Sequence, residues 1–152
     1  MATAARLARH ADLVALTSLV QRYWEFERIP GFEPSRITAL LRQLLDHPER
    51  GRCWLSEETD QPVAYLLAVY VFSLEHGGMM AEIDEFFVLP EQRSRGIGTL
   101  LLGEAQRDMA AAGLVRLQLQ LATDNSRGRL FYERQGFQSR GYDLLDKPLQ
   151  ER

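Results

Sequence analysis

The sequence has 152 residues, enough for one buried core and too few for two ordinary domains. At 45% hydrophobic and 26% charged residues it does not read as disordered, collagen-like or coiled coil, and 18 basic against 21 acidic residues give a net charge of -3, without the basic excess of a nucleic-acid binder. A single cysteine, Cys53, excludes an internal disulfide and a cysteine metal cluster.

In chain order, the opening Met1-Ala-Thr-Ala-Ala-Arg lacks the long apolar core of a secretory leader. No run of eighteen apolar residues occurs, so the expectation is a soluble, cytoplasmic chain with no membrane partner. Arg6-Leu-Ala predicts a short first strand ending near His10. From Asp12, an expected N-cap, Leu13, Leu16, Leu19, Val20 and Tyr23 recur at helical spacing, and this helix should end before Pro30-Gly31. A second helix is expected after Ser35, with Ile37, Leu40, Leu41, Leu44 and Leu45 as its stripe and His47-Pro48 as its stop. Cys53-Trp-Leu55 and Val63 to Phe72 read as strands separated by Glu57 to Pro62, the second apolar enough to be covered on both faces. Gly77-Gly78 marks a turn, and Ala81 to Leu89 a further strand closed by Pro90. The polar loop Pro90 to Gly98 runs into a helix from Thr99 to Ala112, with Gly113 as its C′ residue. A strand over Arg116 to Leu121, a short helix over Ser126 to Arg134 and a last strand near Tyr142 to Leu145 complete the chain. Strands and helices alternate, so the expected class is α/β with a mixed sheet in a single domain over 1–152.

Strand, glycine loop and helix together make an anion site. The first amides of a helix lack intrahelical partners and carry the positive end of its dipole. Gly96 and Gly98 let a phosphate approach the backbone, and Arg93 and Arg95 add charge, so the implied ligand is a diphosphate. The loop is neither a Walker A sequence nor a three-glycine dinucleotide fingerprint. Taken alone, the glycines serve equally well to permit a tight strand-to-helix turn.

Two motifs add a resemblance. Arg93-Ser-Arg-Gly-Ile-Gly98, after a strand ending Phe-Phe-Val-Leu-Pro, resembles the Gln/Arg-x-x-Gly-x-Gly/Ala signature of the GNAT superfamily, the acyl-CoA-dependent N-acetyltransferases. Asn125-Ser-Arg-Gly-Arg-Leu-Phe-Tyr-Glu-Arg-Gln-Gly-Phe137 is similar to its second signature, and Arg6 to Asp12 looks like its first strand and helix start. Two departures stand out: Gly128 replaces a frequent alanine, a change expected to be tolerated, and Ser94 replaces a frequent glycine. The resemblance implies a sheet of about six or seven strands flanked by helices, with a splayed central pair. It implies acetyl-CoA as co-substrate and no metal. The pantetheine arm would pair with backbone groups of Phe87 and Val88, and the diphosphate would sit on the amides of Arg93, Ser94, Arg95, Gly96, Ile97, Gly98 and Thr99. Asn125 would contact the cofactor arm. Dimers are common in the family, so a homodimer is compatible with it.

Acetyl transfer to an amine needs a base, because amines with pKa near 10.4 are mostly protonated at pH 7. Ala81-Glu-Ile-Asp-Glu-Phe-Phe-Val-Leu89 offers Glu82, Asp84 and Glu85. Strand alternation predicts Glu82 and Asp84 on one face with Phe86 and Val88, and Glu85 on the other with Ile83 and Phe87. A solvent-exposed strand end explains such acids equally simply. Within the resemblance, Glu82 matches the base of histone-acetylating members and Asp84 that of polyamine-acetylating members; the surrounding strand favours Asp84. Tyr132 matches the family's general acid, a phenol that stays protonated at pH 7 and can donate to the departing sulfur. A backbone amide near Val88 would hold the thioester oxygen.

Cys53 reads as core, and His10, His47 and His76 are too scattered for zinc. Tyr23, Trp24 and Phe26 fit an acceptor pocket or the core alike. Glu25, Glu27 and Glu33 favour a cationic acceptor. The expected function is transfer of an acetyl group from acetyl-CoA directly to a small-molecule amine. A protein acetyltransferase and a non-catalytic acyl-CoA-binding module are the rivals.

Overall fold

A computed structural model of the chain describes residues 4–150; residues 1–3 and 151–152, which the leader reading and the 1–152 domain expectation include, lie outside the described residues. The described chain divides into two compact units, one ending at Leu119 and the other beginning at Gln120.

The first unit contains β1 (Ala5–Leu7), α1 (Leu13–Glu27), α2 (Pro34–Asp46), β2 (Gly51–Glu58), β3 (Gln61–Ser73), β4 (Gly78–Val88), α3 (Ile97–Ala111) and β5 (Leu117–Leu119). Five strands in the order β1-β2-β3-β4-β5 form one sheet, antiparallel up to β4, with β5 added parallel. This is the expected mixed α/β sheet, with fewer strands than expected. Tyr142 to Leu145, in the second unit, forms no strand. Tyr142, Leu144 and Leu145 are exposed there, so no buried face rewards an extended pairing.

Cys53, Leu55, Tyr65 and Phe87 form one sheet face and pack with Leu13, Leu16, Leu19 and Val20 of α1 and with Ile37 and Leu41 of α2. Trp54 alternates with Cys53 and Leu55, so it points to the opposite face. There it is fully buried and donates its indole N–H to Asp108 of α3 at 2.7 Å. α3 buries Ile97, Leu101, Leu102, Ala105 and Met109.

Local chemistry sets the element ends. Asp12 makes no helix-cap bond. Its carboxylate takes the Arg6 guanidinium at 2.9 Å and the Arg9 amide at 2.7 Å, closing a 3-10 turn and lying below the usual carboxylate range chiefly because of Arg6. Glu33 caps α2 instead, accepting the amides of Ser35 at 3.1 Å and Arg36 at 2.8 Å. Thr59 and Asp60, at φ 49° and 62°, make the two-residue turn from β2 to β3. Among the described residues no helix is long and apolar enough to cross a membrane.

Candidate active site

The polar loop is built as the anion-site argument requires. After β4 a single 3-10 turn over Pro90–Gln92 leads into Arg93 in extended conformation. Ser94 then takes φ 66° and Gly96 takes φ 78°, turning the chain sharply into α3. The first bond of that helix runs from the Leu100 amide to the Gly96 carbonyl at 3.0 Å, so the amides of Ile97 and Gly98 precede the ladder. Ile97 anchors the turn in the core, while Ser94, Arg95 and Gly96 are exposed. The two arginines have other partners. Arg95 holds the Gln92 side-chain oxygen at 2.6 Å and Glu58 at 3.3 Å, and Arg93 donates its Nε–H to the Val88 carbonyl at 3.0 Å. The loop's attraction for an anion therefore rests first on its backbone amides.

β4 does not alternate as expected. Leu67 stands opposite Glu85 and Ala68 opposite Ile83, so Asp84 is an extra residue with no counterpart on β3. Opposed residues share a face. Glu85 opposite Leu67 and Glu82 opposite Val69 therefore lie on the same face as Phe87, and Ile83 and Phe86 lie on the other. The expected grouping of Glu82 with Asp84, Phe86 and Val88 is corrected by this one-residue bulge. Among the described residues β4 pairs with β5 only at Ala81, Glu82 and Ile83, while β4 continues to Val88. The strand pair thus separates after Ile83, between Glu82 and Asp84, as a splay requires.

The three acids have distinct surroundings. Asp84 is exposed as a residue, yet partial desolvation of its carboxyl and, secondarily, the Glu82 charge raise its pKa. Glu82 accepts a hydrogen bond from the side-chain Nε2 of Gln118 at 3.0 Å. Glu85 accepts the Tyr65 hydroxyl at 2.7 Å on one oxygen and the Trp24 indole N–H at 2.9 Å on the other. Burial raises its pKa, the two hydrogen bonds oppose that rise, and the Asp84 charge adds to it. Trp24 and Tyr65 as partners of Glu85 had no sequence signal, since the three lie on α1, β3 and β4. Cys53 is fully buried, and that burial pushes its thiol up, which suits a core residue.

A cleft of about 300 Å³ lies beside the end of β4, lined by Arg22, Glu25, Phe26, Phe87 and Pro90. Of the aromatic run on α1, Phe26 lines this cleft. Tyr23 packs on Tyr65 and Phe87, and Trp24 packs on Phe32. Of the three acids expected to favour a cationic acceptor, Glu25 reaches the cleft and Glu33 is occupied as the cap of α2.

The second unit carries α4 (Ser126–Arg134). Asn125 caps it, accepting the Gly128 amide at 2.8 Å. A Cβ on Gly128 would come within 2.7 Å of the Asn125 side chain, so an alanine there displaces the capping amide instead of fitting freely. Tyr132 packs edge-on against Phe131 and Phe137, and burial pushes its hydroxyl up to about 12. Glu82, Asp84, Phe87, Val88 and the loop from Arg93 to Thr99 thus share the β4–α3 region of the first unit, whereas Asn125 and Tyr132 belong to the second. Among the described residues no group of three or more His, Cys, Asp or Glu is arranged to hold a metal.

The Acetyltransferase (GNAT) family model matches residues 13–137. The chain is 26% identical over 133 residues to the uncharacterized N-acetyltransferase YhfO of Bacillus subtilis (strain 168), covering 88% of each protein. Its fold is similar to that of an integron cassette protein from the mobile metagenome of Cole Harbour salt marsh, at 26% identity and a TM-score of 0.86, with 97% of this chain and 91% of the other covered. It is likewise similar to a predicted acetyltransferase of Clostridium acetobutylicum solved with acetyl-CoA, at 21% identity and a TM-score of 0.79, with 95% and 96% covered.

Proposed function

The chain belongs to the GNAT family of acetyltransferases, and we propose that within it this protein moves the acetyl group of acetyl-CoA directly to the amine of a small, cationic molecule in the cytoplasm. The observation that carries this reading is the β4–α3 turn. Left-handed Gly96 delivers the leading amides of α3 beyond the end of a strand whose parallel pairing stops at Ile83. A diphosphate suits those amides, and an extended thiol arm suits the strand edge past the separation. The reading treats residues on both sides of Leu119 as one acetyltransferase domain, because the family model runs across that point.

Acetyl-CoA supplies an activated thioester; the chain supplies the rest. Asp84, its pKa raised by desolvation and by Glu82, takes a proton from the acceptor ammonium directly or through a water. Glu82 keeps that carboxylate basic and is the alternative base. Leu89 bonds to Val63 of β3, so in the alternating antiparallel ladder the N–H and C=O of Val88 point away from β3. That N–H is the donor for the carbonyl oxygen as it gains charge. Tyr132 returns a proton to the departing sulfur, with a hydroxyl that stays protonated until about pH 12. The cleft of about 300 Å³ is at the lower end of small-ligand sites, and Glu25 gives it a negative group for a cationic acceptor.

Purified protein with acetyl-CoA and a panel of di- and polyamines, amino sugars and lysine peptides, followed by thiol release and product mass, tests the reading. Acetylation of small amines supports it. Acetylation of peptides alone, or tight CoA binding without transfer to any amine, overturns it.

A further inference from the structure

The first residue of the loop motif reaches back to β4 and α1. Besides its bond to the Val88 carbonyl, the Arg93 guanidinium lies 4.7 Å above the Phe26 ring and 5.7 Å from the Phe87 ring. Both distances fall in the range of cation–π attraction. Phe26 and Phe87, themselves 6.0 Å apart, are two of the five residues lining the cleft, and Phe26 is 53% exposed. One side chain therefore ties α1 to the end of β4 and caps the carbonyl of Val88, the residue whose N–H is the proposed donor to the thioester.

Building on the proposed acetyl transfer, we infer that Arg93 is a positioning residue for the acetyl and acceptor end of the site, fixing Val88 and the Phe26–Phe87 wall, and is not a phosphate ligand. A guanidinium with its Nε–H on a main-chain carbonyl and its central carbon over two rings has its orientation set by those groups. Arg95, anchored on Gln92 and Glu58, has no contact of this kind with the cleft.

The experiment compares Arg93→Ala, Arg93→Gln and Arg93→Lys with wild type in the full chain. It reads CoA dissociation by calorimetry and kcat and KM with the best amine of the panel. The inference expects CoA affinity within about threefold of wild type in all three, and a loss of about tenfold or more in kcat/KM for the amine in Arg93→Ala. Arg93→Gln, which retains a donor for Val88 but no cation for the rings, restores kcat while the amine KM stays high. A CoA affinity weakened about tenfold or more in Arg93→Ala overturns the inference and returns Arg93 to the phosphates. Equal losses for CoA and amine also overturn it, because they mark collapse of the whole loop. If Arg93→Ala does not fold, the glutamine and lysine variants carry the same comparison. Failure of the proposed function shows separately, in the wild type, as CoA binding without transfer.

Discussion

Replacing Gly96 with alanine sets one methyl group where the anion site needs bare backbone. Gly96 sits at φ 78°, and an added Cβ would meet no heavy atom within 4 Å. The stability cost is therefore torsional, about 1–2 kcal/mol for an L-residue held in the left-handed region, with no steric term. For a chain of this size that is a fall in Tm of about 2–8 °C. Gly113, beyond the other end of α3, provides a matched control: its φ is 91° and its added Cβ also meets nothing within 4 Å. Gly113→Ala should lose similar stability. Only Gly96→Ala should weaken CoA, by about tenfold or more, because only Gly96 adjoins the leading amides of α3. Calorimetry gives the CoA affinities, and thermal melts give the stability match. S-acetylpantetheine, which lacks the diphosphate, should show the same kcat/KM with both variants. If Gly96→Ala melts as expected and binds CoA as tightly as wild type, the diphosphate does not lie on this turn. Equal CoA losses in the two variants would assign the effect to a weakened helix.

Three further outcomes follow from the site. Tyr132→Phe should lower kcat about a hundredfold or more with CoA affinity unchanged, and wild-type kcat should show no basic limb from this hydroxyl until about pH 12; unchanged turnover removes Tyr132 from the chemistry. Asp84→Asn should abolish the acidic limb of the kcat/KM profile, whereas Glu82→Gln, by removing the negative neighbour, should move that limb to lower pH; abolition by Glu82→Gln instead identifies Glu82 as the base. Because the folded-state pKa of Asp84 is raised, its proton favours the fold at acid pH and that contribution is lost as pH rises through the raised value. Asp84→Asn should therefore melt no lower than wild type at neutral pH. Tyr65→Phe removes a 2.7 Å bond to Glu85 from a fully buried residue and should cost about 1.5–3 kcal/mol at pH 7 in urea unfolding. That bond favours ionised Glu85, so the cost should shrink as pH falls through the carboxylate's titration; a cost independent of pH refutes the charge-assisted bond.

Much of this architecture was legible in local signals. Gly113 ended a helix, His47-Pro48 stopped another, and the strand–loop–helix order around Arg93 to Thr99 is present as read. The facing of the β4 carboxylates was not legible, because nothing in Ile83-Asp84-Glu85 marks an extra residue. That extra residue exists only relative to Leu67 and Ala68 on β3. The destination of Arg93 was hidden for a similar reason, since its rings come from Phe26 on α1 and Phe87 on β4. Asp12 looked like a cap until Arg6 and Arg9 claimed its oxygens. Tyr142 to Leu145 had strand-like composition, but composition does not supply a partner.

The inserted Asp84 also divides β4 into two phases of side-chain orientation. Upstream of it, odd-numbered Ile83 faces α3; downstream, odd-numbered Glu85 and Phe87 face α1. Excising this single residue would not merely delete an acid. It would restore one regular alternation along β4, with Glu85 still opposite Leu67 and Phe87 still opposite Tyr65, and would remove the local bend and added twist that a bulge gives the strand between its carboxylates. A strand exchanged between relatives is therefore aligned by its partners on β3 and not by residue count, which slips by one across Asp84.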